Sequence, residues 1–376
     1  MVNQSGSGGI DRFRLTAAFL VVAVHTFPLI TVNTELNFLV TGVFARIAVP
    51  FFMMVTGYFL LPRYLHRDNL SNENIDRKPL KNFLLKTGIL YLTSALLYLP
   101  FSIYAGYFSG NLPAAIIKNV IFNGTFYHLW YFPAVITGVL ILYGLSRFFS
   151  LSAVFWVSLI LYGFGLLGDS YFGVVLEVPL LNSLYDFFFG IFSYTRNGFF
   201  YAPVFLALGA VIAKGRLDCF AAKAARYDGL KAGFNDGMSK VLNDLTGFIV
   251  TVVLMLTEGW ALHKYGNQAH DSMYIMLIPC MYFLFRLILN MKGNTSKFLR
   301  FVSAWIYILH PMAIIGVRGV AGKIGLSTLF VENSMVHFAV VSLLSYLFAS
   351  LMYLTYSKIK THFNKYIQQK SIRSCS

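Results

Sequence analysis

Apolar runs long enough to cross a bilayer recur from one end of this sequence to the other, and nothing constrains its fold more. A helix needs about 20 predominantly apolar residues to span a hydrocarbon core of roughly 30 Å. We read spans at 13–31, 37–61, 81–104, 128–148, 151–167, 199–213, 245–263, 272–290, 299–317 and 335–357. Charged residues are 12% of the 376 and hydrophobic ones 57%, so the charge fraction is about half that of a soluble domain. Spanning segments must satisfy their own backbone, so the expected fold is an all-α membrane protein, a polytopic bundle of about ten transmembrane helices.

The net charge of +15 is explained by topology. With the N-terminus in the cytoplasm, Arg63, Arg67, Arg77 and Lys78 fall inside, as do the basic residues of 214–244 and the tail residues Lys358, Lys360, Lys365, Lys370 and Arg373. The outer loops hold only Lys118, Arg196, Lys264, Arg318 and Lys323. This bias orients the chain with both termini cytoplasmic, as a multi-pass plasma-membrane protein. The basic excess then points to anionic lipid as a partner, with no nucleic acid. The expected organisation is a cytoplasmic N-terminal segment (1–12), a transmembrane domain (13–357) and a basic cytoplasmic tail (358–376). The first span lacks a small-residue cleavage site and is followed at once by another, so it is read as retained rather than as a signal peptide. Cys219 and Cys375 fall on the inner side and Cys280 within a span, which excludes a disulfide framework. No convincing metal-ligand spacing occurs, so no metal is expected. Two outer segments, 105–127 and 168–198, are rich in aromatic residues and suit the interface or a cover over a site.

Ionisable groups inside spans are costly and therefore candidates for function. In "RFRLTAAFLVVAVHTF", Arg14 and His25 are eleven residues apart. On a helix this places them on one face, about 16 Å apart along the axis. His25 suits proton transfer near neutral pH, or it is a hydrogen-bonded packing residue. Arg14 is either a snorkelling anchor or a cation facing a polar cavity, and Asp11 either orients it or begins the helix. Arg46 lies within the second span, where a guanidinium needs a cavity or a partner. Pro50 and Gly57 in that span suggest a kink and close packing. His128 and Trp130 open the fourth span in "YHLWYFP", as site residues or as members of an aromatic belt. Glu258 lies near the outer end of a span, with His263, His270 and Asp271 around the loop that follows. These form a polar rim or a solvated turn, with Asp271 as a helix cap. His310, before Pro311, is a second mid-span histidine, at a site or at a packed kink.

These residues resemble the acyltransferase 3 family of integral membrane acyltransferases. "IDRFRLTAAFLVVAVHTF" contains its Arg-ten-residues-His pattern as Arg14 and His25. "ARIAVPFFMMVTGYFL", with Arg46, is similar to its second span, and "WIYILHP" to its late His-Pro element. "FNGTFYHLWYFPA", "YTRNGFFYAPVFLALGA" and "HDSMYIMLIP" are similar to the membrane half of the membrane-bound serine racemases of vancomycin resistance. Those proteins carry a cytoplasmic pyridoxal-phosphate racemase domain after it, and that domain is expected to be absent here.

The resemblance implies a bundle of about ten spans and an O-acyltransferase moving groups other than aminoacyl. Acyl-CoA, usually acetyl-CoA, would be the cytoplasmic donor, and a hydroxyl of a small-molecule or glycan cell-envelope component the acceptor. His25 would be the base and Arg14 would engage the donor. Asp11, Arg46, His128, Trp130, Glu258 and His310 would line the substrate sites, and a homo-oligomer is compatible with the sequence. The alternative is a transport or binding module for a small zwitterion such as L-serine, with Arg46 on the carboxylate and Glu258 on the ammonium.

Overall fold

The computed structural model describes residues 7–65, 76–106, 112–225 and 233–373. Arg67, Arg226, Lys231 and Cys375 lie outside them. Among the described residues there is no β-strand. The principal helices are α1 (Ser7–Thr26), α2 (Ala48–Leu60), α3 (Lys78–Tyr104), α4 (Leu112–Lys118), α5 (Tyr131–Leu145), α6 (Leu151–Leu167) and α7 (Phe172–Glu177). They continue as α8 (Pro179–Ile191), α9 (Ala202–Ala225), α10 (Gly233–Tyr265), α11 (Leu277–Asn290), α12 (Lys297–Lys323) and α13 (Ser334–Arg373).

Every expected span contains a helix, but the count of ten crossings is not reached by length and composition. Among the described residues five helical segments qualify: Thr34–Arg63, Lys78–Tyr104, Ser239–Tyr265, Lys297–Lys323 and Ser334–His362. The helices α5, α6 and α11 have 15, 17 and 14 residues. At 1.5 Å per residue they reach only about 21–26 Å, short of a hydrocarbon core of roughly 30 Å. The tail continues α13 as helix to Arg373.

The chain divides into two compact units, one over Gly42–Met291 and the other over Ser5–Thr41 with Lys292–Ser376. In the larger unit α9 is the central helix: Ala202, Val204, Phe205, Leu206, Ala207 and Ala210 are all fully buried. Its run of small and apolar residues, "APVFLALGAVIA", suits burial on every side. It meets α2 backbone to backbone, because a Cβ on Gly57 would run into the Leu206 carbonyl and one on Gly209 into the Met54 carbonyl. Such contacts require glycine, as between closely packed membrane helices.

In the smaller unit α1 packs on α12 and α13. Ala18 and Val22 of α1 join Val302, Ile306 and Val341 in one apolar cluster. Asp11 ties the start of α1 to the start of α12: its Oδ2 accepts from the Ser296 N–H at 2.8 Å. Ser296 is itself the N-cap of α12, accepting from the Leu299 N–H. Its own N–H therefore needs an acceptor from elsewhere, and Asp11 supplies it.

Candidate functional site

His25 stands in the last turn of α1, half-buried. Its ring stacks on that of His310, with centroids 5.2 Å apart and planes inclined by 22°. His310 is fully buried in the middle of α12. Pro311 has no N–H, so the Tyr307 carbonyl loses the donor that helix geometry would give it. The His310 Nδ1 takes that place at 2.8 Å from the Tyr307 oxygen. Because a carbonyl only accepts, Nδ1 is the donor, and in the neutral ring Nε2 carries the lone pair. The His-Pro dipeptide thus sets both the position and the tautomer of the second imidazole.

Immediately after His25 the chain turns sharply. Phe27 has φ of 51°, a left-handed conformation that an aromatic L-residue rarely adopts. The turn is held by Ser334, whose Oγ donates to the Pro28 carbonyl at 2.8 Å and lies 2.7 Å from the Thr31 hydroxyl. The Asn37 Oδ1 accepts from the Leu29 N–H at 3.2 Å. Backbone strain of this kind persists only where surrounding contacts over-determine it, and it clusters at functional sites. At the other end of α1, Arg14 Nε lies 3.7 Å from Asp11 Oδ1, and Arg300 Nε lies 3.6 Å from Asp11 Oδ2. Asp11 is buried, and it sits between these two cations while accepting from the N–H of Ser296, the N-cap of α12.

The larger unit assembles a separate polar cluster. Arg46 Nη2 pairs with Asp271 Oδ1 at 2.6 Å, and Arg46 Nε donates to the Gly42 carbonyl at 3.2 Å. Asp169, fully buried just past the end of α6, accepts from the Ser272 N–H at 2.7 Å and the Met273 N–H at 2.9 Å through Oδ1. Ser170 Oγ donates to the same oxygen at 3.0 Å, while Oδ2 takes no hydrogen bond from the described residues. Burial pushes the Asp169 carboxyl up to about 6. The His270 imidazole, 4.5 Å from the Tyr194 ring, is driven down to about 4 by burial and then by the Arg196 charge. It is therefore neutral at pH 7.

Arg196 lies over the rings of Tyr194 and Trp130, at 4.6 Å and 5.3 Å from their centroids. It borders a cavity of about 250 Å³ lined also by Asn119, Phe122, Asn123, Tyr127, Trp130, Ser193 and Tyr194. Trp130 is thus a cavity residue, whereas His128 is buried among the rings of Tyr98, Phe126 and Tyr127. Glu258 caps a helix: Oε1 accepts from the Ile275 N–H and the Tyr171 hydroxyl at 2.6 and 2.7 Å, and Oε2 from the Met276 N–H at 2.9 Å. A carboxylate there complements the positive end of α11. His263 is exposed. Asp11, Arg14, His25 and His310 therefore belong to the smaller unit, and Arg46, His128, Trp130 and Glu258 to the larger one.

A family model described as an acyltransferase domain matches residues 7–354. The chain belongs to the acyltransferase 3 family. It is 40% identical over 348 residues to an amino-acid racemase of Enterococcus faecalis, covering 92% of this chain and 46% of the relative. A second amino-acid racemase of Enterococcus faecalis is 35% identical over 96% of this chain and 47% of its own length. A serine/alanine racemase of Enterococcus gallinarum is 34% identical over 90% of this chain and 44% of its own length. The chain spans about half the length of these curated relatives. No solved structure matches.

Within this acyltransferase 3 chain, sequence reasoning passed over two charged residues that the fold places at the centre of the larger unit's cluster, Asp169 and Arg196. Both lie in the aromatic outer segment 168–198, whose reading as interface or cover singles out no charged residue. The usable signals were the Asn-Gly pairs at 123–124 and 197–198. Gly124 has φ of 82°, and a Cβ there would strike the Trp130 backbone. The Asn197 Oδ1 accepts from the Phe199 and Phe200 N–H groups at 2.8 and 3.1 Å, which fixes the strap that carries Arg196.

The Asp169 environment yields a stability prediction. Asp169→Ala should cost roughly 2–4 kcal/mol, because two buried N–H groups lose their acceptor, while Asp169→Asn keeps an oxygen there and should cost far less. The folded carboxyl holds its proton up to about 6, against an ordinary 3.8. Between those values the folded state binds more protons than the unfolded one, so stability rises as pH falls through that window. Thermal unfolding of detergent-purified protein across the window checks both points. A wild-type slope of the opposite sign, or an unchanged slope in Asp169→Asn, would contradict the assignment.

Proposed function

We propose that the chain moves an acyl group, acetyl in the first instance, from cytoplasmic acyl-CoA to a hydroxyl of a cell-envelope acceptor. The observation that carries this reading is the stacked His25–His310 pair within an acyltransferase 3 chain. In the reaction His25 takes the acceptor hydroxyl proton as the oxygen attacks the thioester carbonyl. The C–S bond then breaks, and the proton returns to the departing thiolate from the imidazolium. His310, with its tautomer set by Tyr307, supports the His25 ring from its face. Arg14, steadied by Asp11, engages the donor phosphates or thioester end. The distance from Arg14 to His25 along α1, about 16 Å, is comparable with an extended phosphopantetheine arm. No metal takes part in this scheme.

The test is transfer of label from radiolabelled acetyl-CoA to envelope material by purified protein in membranes. Purified protein that neither binds nor hydrolyses acyl-CoA, yet takes up serine in liposomes, would overturn it. That outcome is the second reading, favoured by the names of the relatives, one of which is a serine/alanine racemase. There Arg46 would hold the carboxylate of a small zwitterion, in exchange for its pairing with Asp271.

The topology proposed with this function has ten crossings and both termini inside, following the Lys/Arg bias. Reporter fusions should signal outside at residue 115 and inside at residues 225 and 370. An outside signal at 225 or 370 would break this topology.

A further inference from the structure

The acyl-transfer scheme makes no use of Arg196 or of the amide groups that surround its cavity. Arg196 is a cation for which no carboxylate serves as an ion-pair partner among the described residues. Its one hydrogen bond among them runs from Nη1 to the Ser272 hydroxyl at 3.2 Å. A guanidinium carries five donors, so most of its edge is uncommitted. The neighbouring Asp271 is already engaged by Arg46. Burial, then the Arg46 charge, lowers the Arg196 pKa, and the charges of Asp169 and Asp271 offset this only in part.

The surroundings are preorganised. Trp130 and Tyr194 cover the guanidinium, and stacking of that kind leaves the in-plane N–H edge available for a bidentate acceptor. The two walls of the cavity are tied to each other. Asn123 Oδ1 accepts from the Ser193 N–H at 3.0 Å, and Asn123 Nδ2 donates to Asn119 Oδ1 and Ser193 Oγ, each at 3.2 Å. The volume of about 250 Å³ is below the range of drug-sized pockets, so the occupant is small.

We infer that this cavity binds a small hydroxylated or aminated carboxylate, held through its carboxylate by Arg196. The amides of Asn119 and Asn123 and the Ser193 hydroxyl meet the polar substituents, and Trp130 covers the carbon skeleton. A free amino acid and a small sugar acid share this chemistry, and the inference is independent of acyl transfer by the other unit. The competing explanation is that Arg196 is only a staple between two aromatic rings.

Calorimetric titration of the purified full chain in nanodiscs separates these. The probes are L-serine and glucuronate, each against a counterpart lacking the carboxylate, serinamide and glucose. At least one acid should bind tenfold or more tightly than its counterpart, with affinity falling as salt rises. Arg196→Gln should abolish that preference, and Arg196→Lys should keep it in weakened form. The acid that binds identifies the source, amino acid or sugar acid. Wild-type protein that favours neither acid, or an Arg196→Gln variant with the preference intact, overturns the inference. The wild-type comparison decides the matter even if Arg196→Gln does not fold, and no acyl donor is present in any arm.

Discussion

His25→Ala should lower acyl transfer from acetyl-CoA by roughly 10²–10⁴-fold, the usual worth of a positioned general base. The variant should still insert and fold. Replacing a polar residue with alanine makes the first apolar run more hydrophobic, and the α1 contacts on Ala17, Ala18, Val21 and Val22 lie in earlier turns. The loss should fall on the transfer step, with acyl-CoA binding retained, because the donor is engaged through Arg14 in this scheme. Label transfer and acyl-CoA binding measured on the same membrane preparation separate the two. Full transfer activity in His25→Ala would remove the base from the mechanism. His310→Ala should give a smaller loss, since that ring acts through His25.

Gly57→Ala should destabilise the larger unit by about 3 kcal/mol or more, at the upper end of overpacking effects. The added methyl has no flexible neighbour to displace, because the atoms it meets are the Leu206 carbonyl and Cα of the central helix α9. Relief requires α2 and α9 to separate, and Gly209, packed against Met54 from the other helix, would lose its contact too. Gly144→Ala is the matched control, since nothing lies near a Cβ at that position. Thermal unfolding and detergent-stable yield should drop sharply for Gly57→Ala and stay near wild type for Gly144→Ala. Equal behaviour of the two variants would show that the helices are not in backbone contact.

The membrane class and a helix within each long apolar run were determined by the sequence itself, whereas the short helices α4, α7 and α8 of the outer segments were not. Apolar run length is a local property, legible one segment at a time, and lipid leaves backbone polar groups no option but helix. His25 was equally legible, because a single imidazole in an apolar run is conspicuous without knowing its neighbours. The number of helices long enough to cross was less so, since turns shorten α5, α6 and α11 in ways hydropathy does not register.

Only the tertiary structure decided the partners. Arg46 meets Asp271, 225 residues away, and His25 meets the ring of His310 from a helix near the other end of the chain. Glu258 is legible as a carboxylate that needs a partner, and the fold shows it accepting from the Ile275 and Met276 N–H groups just before α11. Asp169 and Arg196 stood out as no more than residues of an outer segment until packing buried the first and set the second against Trp130 and Tyr194. The physical reason is the same in each case. The sequence shows that a charge must be compensated, since burying it is expensive, but which group compensates it depends on distances that only helix packing sets.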